Sequence, residues 1–563
     1  MDFKRIVADL ICIDGASREE VLAALTNTAD PTLGDLSLPC FKFSKLLRKP
    51  PQKIAEEFVA AFPQNEWVSR VEAVNGYFNV TLKKGAFCQT VTEEILSLGE
   101  AFGKSDVGSG KTVCIDYSSV NIAKPFHIGH LGTTAIGNAL CKLLRFEGYR
   151  VVGINHLGDW GTQFGKLIVA YKLWGDKEKI EREGVKALQE IYVRFHREEE
   201  TQPELTEQAR GWFKKIEDGD AEAMELFRWF KEITLTEVGK IYERLGVSFD
   251  SYNGESFYND KMQPVLDELE QQGLLQTSEG AKVVDLSKFD MPPCLLVKAD
   301  GATLYATRDL AAAIYRKNTY DFDKSLYVVA YQQNLHFRQF FKVLELMGYD
   351  WAKDLVHVAY GMVSLEEGSM STRQGNVVWL SDVLDQAVEK SYRIISEKNP
   401  ELERKEEIAE DVGVGAVVFS ALQNARIKDI TFTFDRVLNF DGETSPYIQY
   451  TYARTCSVLR KAEGRFCGTV DKDAYENAES MELAKLLNAF PQTIRDAAEK
   501  YEPSVLAKYL IDVSQRFNKF YMACRILDDS DGVFAARRNL TEATGIVLKT
   551  GLGLLGIRAP EKM

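Results

Sequence analysis

The chain of 563 residues lacks several patterns that would assign it to a simple functional class. Its nine cysteines are scattered with no C-x-x-C pair, so we expect reduced, buried thiols and no zinc. No apolar run approaches the roughly 20 residues of a membrane span, and the first residues lack the basic-then-apolar order of a signal peptide. We therefore expect a cytoplasmic protein that does not contact a membrane.

The sequence is also poor in positive charge, with a formal net charge of −14. This balance alone argues against nucleic acid as a partner. Charge acts locally, however, and one basic tract near the N-terminus consists of Lys42, Lys45, Arg48, Lys49 and Lys53. The tract is equally consistent with a solvated helix face, so both a nucleic-acid contact and a merely solvated surface remain open.

The most informative motif that is present is His127-Ile128-Gly129-His130. A β-branched run at 112–117 predicts a buried strand before it, and a helical pattern at 129–147 follows, with a second strand predicted at 149–155. The motif therefore lies where the helix of a β-α-β unit begins. Such helix starts bind anions, which favours contact with the phosphates of ATP. A chance match or a metal site is the alternative, although no cluster of ligands completes a metal shell.

A second candidate segment, at 366–376, follows a predicted strand and is small, polar and flanked by glycine. By itself it is typical of an ordinary surface loop. It lies about 240 residues after the histidine motif, and the two together could hold ATP phosphates from opposite sides.

Longer strings resemble a known family, the arginyl-tRNA synthetases of class I, and the resemblance covers essentially the whole chain. The first two candidates, His127–His130 and Met370–Arg373, match its two ATP motifs. The other matching strings are DYSSVNIAKPF at 116–126, HLGDWGTQFG at 156–165, LYATRD at 304–309 and SPYIQYTYAR at 445–454. The resemblance implies ATP-dependent ligation of L-arginine to tRNA(Arg) through an arginyl-adenylate.

From this resemblance and the distribution of predicted elements we expect an α/β fold. Its catalytic core is a Rossmann-type parallel sheet at 106–380, with helical insertions near 170–230 and 255–300 and a strand-like stretch at 281–307. A small α/β domain at 1–105 contacts tRNA, and an all-helical domain at 381–563 binds the anticodon.

A carboxylate can bind the planar guanidinium of arginine with two parallel hydrogen bonds. The resemblance assigns Asp116, Asp309 and Tyr305 to that group, and assigns Asn121 and Gln333 to the rest of the amino acid. We expect a strand-like run that ends at Tyr305. Asp309 could also cap a helix beginning at Leu310.

The resemblance places the catalytic and ATP-binding groups in the two motifs. These are Lys124, His127, His130 and Arg373 for catalysis, and His127, Gly129, His130, Met370 and Ser371 for ATP. The family's usual lysine before Met-Ser is Ser369 here, so a cation that would hold pyrophosphate is missing. Lys124 is the expected substitute, with Arg373 as a second charge, and Mg²⁺ is expected to enter with ATP.

The resemblance further implies tRNA contacts at Asn79, Tyr521 and Met563, and we expect a monomer. Two other functions remain open from the residues alone. A small-molecule nucleotidyltransferase also places His-x-Gly-His at a helix start, but it leaves the helical C-terminal region unexplained. A non-catalytic tRNA-binding relative is disfavoured by the intact His127, Gly129 and His130.

Overall fold

The computed structural model describes residues 3–28, 30–365, 378–465, 468–527 and 530–563. The chain divides into two compact units. The first contains Met1–Phe102, Arg454–Pro491 and Asp512–Leu548, and the second contains Gly103–Ala453, Gln492–Ile511 and Lys549–Met563. Within the described residues, no helix is both long and apolar enough to cross a bilayer.

The N-terminal part of the first unit is an antiparallel sheet with helices. Its strands are β1 (Thr26–Asn27), β2 (Leu36–Pro39), β3 (Val68–Val74) and β4 (Tyr77–Leu82), in the order β1-β2-β4-β3. Its helices are α1 (Phe3–Asp9), α2 (Arg18–Ala24), α3 (Ser44–Leu47), α4 (Pro51–Ala61) and α5 (Lys84–Leu98). Asn75 and Gly76 both have positive φ between β3 and β4, which confirms the hairpin predicted from this dipeptide.

A parallel sheet is the centre of the second unit. It consists of β5 (Thr112–Asp116), β6 (Arg150–Ile154), β10 (Lys324–Tyr327) and β11 (Leu355–His357), in the order β11-β10-β5-β6. The residues of β5 are all buried, as expected for a strand that is covered on both faces. Helix α6 (Leu131–Phe146) connects β5 to β6 and confirms the predicted β-α-β unit.

The two insertions differ in structure. The first is helical, with α7 (Gln163–Trp174), α8 (Lys177–Glu183), α9 (Val185–Glu199), α10 (Glu204–Glu217) and α11 (Ala221–Leu245). The second contains α12 (Met262–Gln271) and an antiparallel sheet of β7 (Leu275–Ser278), β8 (Ala281–Val284) and β9 (Cys294–Val297). Helices α13 (Tyr305–Tyr320) and α14 (Asn334–Leu346) follow on either side of β10.

The remaining chain is mostly helical, as predicted. Strand β12 (Val363–Leu365) pairs in parallel with β13 (Ile430–Phe432). The helices are α15 (Leu380–Lys398), α16 (Lys405–Leu422), α17 (Phe434–Val437), α18 (Ser445–Lys461), α19 (Ala478–Glu499), α20 (Ser504–Ala523) and α21 (Asp531–Leu554). The α/β core with helical additions therefore agrees with the expected fold class. The domain boundaries at 105 and 380 stay predictions.

Candidate active site

The candidate site lies where the strands of the parallel sheet end. The chain leaves β5 at Asp116, β6 at Ile154 and β10 at Tyr327, all at the same edge. In open α/β sheets, ligands bind in the crevice beyond these carboxyl ends. The predicted site residues follow these strands or lie on helices that begin beside them.

The histidine turn, residues 127–130, is held together by its own hydrogen bonds. The N–H of Gly129 donates to Nδ1 of His127 at 3.0 Å, and the N–H of His127 donates to Nδ1 of His130 at 3.2 Å. The Nδ1 of His127 accepts a hydrogen bond, which places the proton of its neutral ring on Nε2. The Nδ1 of His130 also lies 3.3 Å from the carbonyl oxygen of His127, so it accepts from the N–H or donates to the carbonyl according to its tautomer. The two ring centres are 4.0 Å apart, so the imidazoles lie side by side.

Both imidazoles are neutral at physiological pH. Burial lowers the pKa of His127 to about 4. Burial, followed by the neighbouring His127, lowers the pKa of His130 to about 3. The pair can therefore donate hydrogen bonds to phosphate oxygens, but any positive charge must come from other residues.

The turn also contacts the chain that follows the second ATP motif. The N–H of Ile128 donates to the carbonyl of Val378 at 3.1 Å, and His127 forms an antiparallel bridge with Trp379. The predicted residues Met370, Ser371 and Arg373 lie outside the described residues. The described chain resumes at Val378, directly against the histidine turn.

Asp116, at the end of β5, has an internal partner on each carboxylate oxygen. Arg316 of α13 approaches Oδ2 at 2.8 Å, and the hydroxyl of Ser119 donates to Oδ1 at 2.8 Å. Both side chains of the ion pair are buried. An internal guanidinium therefore occupies the place where the sequence led us to expect that of the substrate.

Asp309 and Tyr305 lie on one face of α13. The helix begins at Tyr305, so the expected strand-like run to this residue and the helix start at Leu310 were wrong. The strand ends earlier because the Asp300-Gly301 turn brings Thr303 back against Val297. Residues four apart on a helix are neighbours, which places exposed Tyr305 beside Asp309.

Asp309 is paired with His336 of α14, whose Nε2 lies 2.6 Å from its Oδ2. Burial by itself would raise the pKa of Asp309, but the hydrogen bond and charge of His336 outweigh it and hold the pKa below its usual value. Asp309 is therefore ionised across the physiological range. Its side chain retains 27% exposure and is open to a ligand.

Glu255 is a further carboxylate at this site, and sequence reasoning missed it. Burial raises the pKa of Glu255 to about 7, and the negative charges of Asp309 and Asp159 add to this effect against the opposing charge of Arg308. Its neighbours come from distant segments, and within its own insertion it is one acidic residue among many. No local pattern could have identified it.

Asn121 and Gln333 are both exposed near the strand ends. Asn121 belongs to the loop after β5 and forms a parallel bridge with Gly158. Gln333 ends the 3-10 turn Tyr331–Gln333, directly before α14. Their positions beyond β5 and β10 agree with the expected crevice, and their contacts with substrate stay predictions.

The three expected tRNA contacts have different surroundings. Asn79, in β4, is only 3% exposed and accepts a hydrogen bond from the hydroxyl of Ser37 at 2.6 Å, so its burial does not favour a direct contact. Tyr521 is 37% exposed, with the guanidinium of Arg454 5.2 Å from its ring centre. Met563 packs partly buried against a cluster that includes Ile395.

Three family models match the chain in order. They are "Arginyl tRNA synthetase N terminal domain" at residues 2–82, "tRNA synthetases class I (R), catalytic domain" at 91–434 and "DALR anticodon binding domain" at 448–563. The catalytic model alone covers more than half of the sequence and includes every strand of the parallel sheet.

Similar proteins agree with these models. Proteins named arginine--tRNA ligase from Alkaliphilus metalliredigens and Halothermothrix orenii are each 50% identical, with all of both chains covered. The solved arginyl-tRNA synthetase of Thermus thermophilus is 28% identical, with 96% of each chain covered and a TM-score of 0.80. The chain therefore belongs to the arginyl-tRNA synthetases, a family of class I aminoacyl-tRNA synthetases.

Proposed function

We propose that this chain activates L-arginine with ATP and transfers the arginyl group to tRNA(Arg). The observation that carries the proposal is the pairing of two chemistries at one sheet edge. Paired neutral imidazoles begin α6, and ionisable carboxylates lie on α13 and in the insertion beside it. The first suits phosphate oxygens, and the second suits a guanidinium.

In the acidic part of the site, Asp309 and Glu255 are the direct acceptors of the substrate guanidinium, with Tyr305 beside them. Two nearby carboxylates repel one another, and a bound guanidinium relieves this repulsion. Asp116 is revised from a direct ligand to a positioning residue, because Arg316 and Ser119 already engage its oxygens. Asn121 and Gln333 hold the amino and carboxylate end of the amino acid.

In the phosphate part, the arginine carboxylate attacks the α-phosphorus of ATP. The bond to the bridging oxygen breaks, and pyrophosphate leaves with the developing charge. His127 and His130 donate hydrogen bonds from Nε2 to these oxygens, and Lys124 supplies positive charge. Gly129 allows close approach of the backbone, while Met370, Ser371 and Arg373 contact ATP from the second motif. Mg²⁺ enters with ATP as part of the substrate.

The terminal ribose hydroxyl of tRNA(Arg) then attacks the adenylate carbonyl, and AMP leaves. Tyr521 is the best-supported tRNA contact of the three, because its exposed ring suits stacking on an unpaired anticodon base. Met563 is a second contact, and Asn79 acts through its exposed neighbour Tyr77 on the same face of β4. We also propose a cytoplasmic monomer that needs tRNA to form the adenylate.

The deciding experiment is ATP–pyrophosphate exchange with each amino acid, with and without tRNA(Arg). We expect exchange only with arginine and only when tRNA is present. Exchange with a different small molecule would favour a nucleotidyltransferase, and tRNA binding without any exchange would favour a non-catalytic relative. Robust exchange with arginine and ATP alone would contradict the dependence on tRNA while leaving the ligase function in place.

A further inference from the structure

The loop between β5 and the histidine turn contains an unusual concentration of left-handed backbone. Ser118, Ser119 and Ala123 have φ values of 68°, 46° and 56°. Residues other than glycine adopt this backbone conformation at a cost of about 1–2 kcal/mol each. Ala123 has no polar side chain that could offset this cost locally, so another part of the protein must hold it.

That support comes from Thr234 of α11. The N–H of Ala123 donates to Oγ1 of Thr234 at 2.9 Å, across 111 residues of sequence. The hydroxyl itself donates to the carbonyl of Phe230 at 2.8 Å. Because its only hydrogen is used in that bond, the oxygen is oriented to accept from Ala123. Thr234 has no solvent exposure, so water cannot take its place.

The middle of the loop is attached to Gly158 by backbone hydrogen bonds. The N–H of Ile122 donates to the carbonyl of Gly158 at 3.1 Å, and the N–H of Gly158 donates to that of Val120 at 2.9 Å. These bonds fix the loop as far as Ile122. The hydroxyl of Thr234 is thus the side-chain contact that sets the last residue before Lys124.

The charge of Lys124, the residue after Ala123, acts on both parts of the site. Burial is the main cause of the low pKa of His130, and the charge of Lys124 lowers it further. Burial likewise dominates the raised pKa of Glu255, which the same lysine opposes. The direction in which the chain presents Lys124 therefore affects the electrostatics of both ends.

We propose that Thr234 is a positioning residue, which holds Ala123 in the left-handed conformation and so directs Lys124 toward the departing pyrophosphate. This inference rests on the role proposed above for Lys124. A displacement of about 1 Å at a catalytic group can cost roughly a hundredfold in rate. The hydroxyl of Thr234 therefore affects the chemical step without touching any substrate.

The test compares Thr234→Val with Thr234→Ser in tRNA-dependent ATP–pyrophosphate exchange. Valine has nearly the same shape but cannot accept the hydrogen bond, so we expect kcat to fall about tenfold to a hundredfold, with KM for arginine unchanged. Serine keeps the hydroxyl and should restore kcat to within about threefold. Wild-type kcat in Thr234→Val would overturn the inference.

Thr544→Val is the matched control for stability. Thr544 of α21 is equally buried and also donates to the carbonyl four residues earlier, at 2.8 Å, but it belongs to the first unit. If Thr234→Val lowers the melting temperature more than this control, Ala123→Gly is added, because glycine adopts positive φ without strain but adopts negative φ as readily, so it relieves the strain without fixing the direction of Lys124. Stability should then recover while kcat stays low. Recovery of both stability and kcat in this double variant would show that Thr234 is only a structural residue and would overturn the inference.

A double variant with Lys124→Met separates this inference from the role of Lys124. Once Lys124 is absent, Thr234→Val should cause no further loss of kcat, since contacts that act as a unit are not additive. An equal additional loss would overturn the inference alone. Wild-type exchange by Lys124→Met itself would overturn both the role of Lys124 and the inference.

Discussion

The proposed phosphate end and the proposed arginine end of the site are built in opposite ways. At the phosphate end, four consecutive residues hold each other through hydrogen bonds between their own backbone and rings. At the arginine end, the carboxylates come from β5, α13 and the second insertion. The pairing or the pKa of each carboxylate depends on residues remote in sequence. The first arrangement depends on local chain geometry, and the second depends on the complete fold.

The two ends also differ in charge. The imidazoles are neutral, whereas Asp116 pairs with Arg316, and Asp309 is held ionised beside His336. Across the described ranges, Glu255 alone of the three carboxylates has no side-chain ion pair. We therefore expect a cationic side chain to bind at one end of the crevice, and phosphates to bind to neutral donors and Lys124 at the other.

The largest expected effect is a loss of stability in Asp116→Asn, which distinguishes a structural carboxylate from one that binds substrate. Asp116→Asn leaves the buried guanidinium of Arg316 without its counter-ion, which should destabilise the fold by about 3–5 kcal/mol. Thermal unfolding measures this loss. Asp321→Asn is the control, because Asp321 pairs with Lys317 on the surface and should change stability by less than about 1 kcal/mol. Equal, small losses in both variants would contradict a structural role for Asp116.

The next effect is expected at the phosphate end. His130→Ala removes a donor aimed at developing charge and should lower the rate of adenylate formation by about 10²–10³-fold. Single-turnover kinetics with tRNA present measure this rate. Arginine binding should be unchanged, and the fold should lose only about 1 kcal/mol of stability, because the N–H of His127 loses its hydrogen bond to this ring. An unchanged rate would remove His130 from the mechanism.

A smaller and selective effect is expected from Asp309→Asn. The change weakens a charge-assisted hydrogen bond to the guanidinium, so arginine binding should lose about 1.5–3 kcal/mol while KM for ATP stays constant. Steady-state exchange at varied arginine and varied ATP separates the two constants. Asp290→Asn, on an exposed turn, is the control and should leave both constants unchanged. Equal losses for ATP and arginine would show that Asp309 is structural.

The smallest expected effect is a pH dependence that belongs to the arginine end alone. Because the pKa of Glu255 is raised to about 7, it becomes protonated as the pH falls below 7 and loses its attraction for the guanidinium. KM for arginine should therefore rise about fivefold from pH 7 to pH 6 and level off above pH 7. Glu255→Gln should have a high KM that no longer varies with pH.

The raised pKa of Glu255 also makes the stability of the fold depend on pH. A raised pKa means that Glu255 favours folding below its ordinary pKa of 4.5, and that this contribution is lost as the pH rises toward 7. Bound arginine should reverse the trend by stabilising the ionised form. Melting temperatures at pH 5 and pH 8, with and without arginine, measure both effects. A KM for arginine that is constant from pH 6 to 8 would contradict the proposed role of Glu255.

The sequence by itself determined the features that depend on neighbouring residues. The β-α-β unit around the histidine turn, the Asn75-Gly76 hairpin and the long helices follow from hydrophobic periodicity and turn chemistry within short windows. The match of long strings to one family then led us to predict Asp309 and Tyr305 as contacts of the guanidinium. The start of α13 was misplaced because a short apolar run before a helix has no periodicity of its own to mark the boundary.

Only the tertiary structure determined which charged groups and hydroxyl groups pair across the fold. Arg316 beneath Asp116, Glu255 beside Asp309 and Thr234 against Ala123 join segments that lie 50 to 200 residues apart. Nothing in a local pattern encodes such pairs, because they arise when helices and strands pack and burial makes an unpaired polar group costly. The residue types of the site could therefore be read from the chain, whereas their partners, protonation and exposure were set by packing.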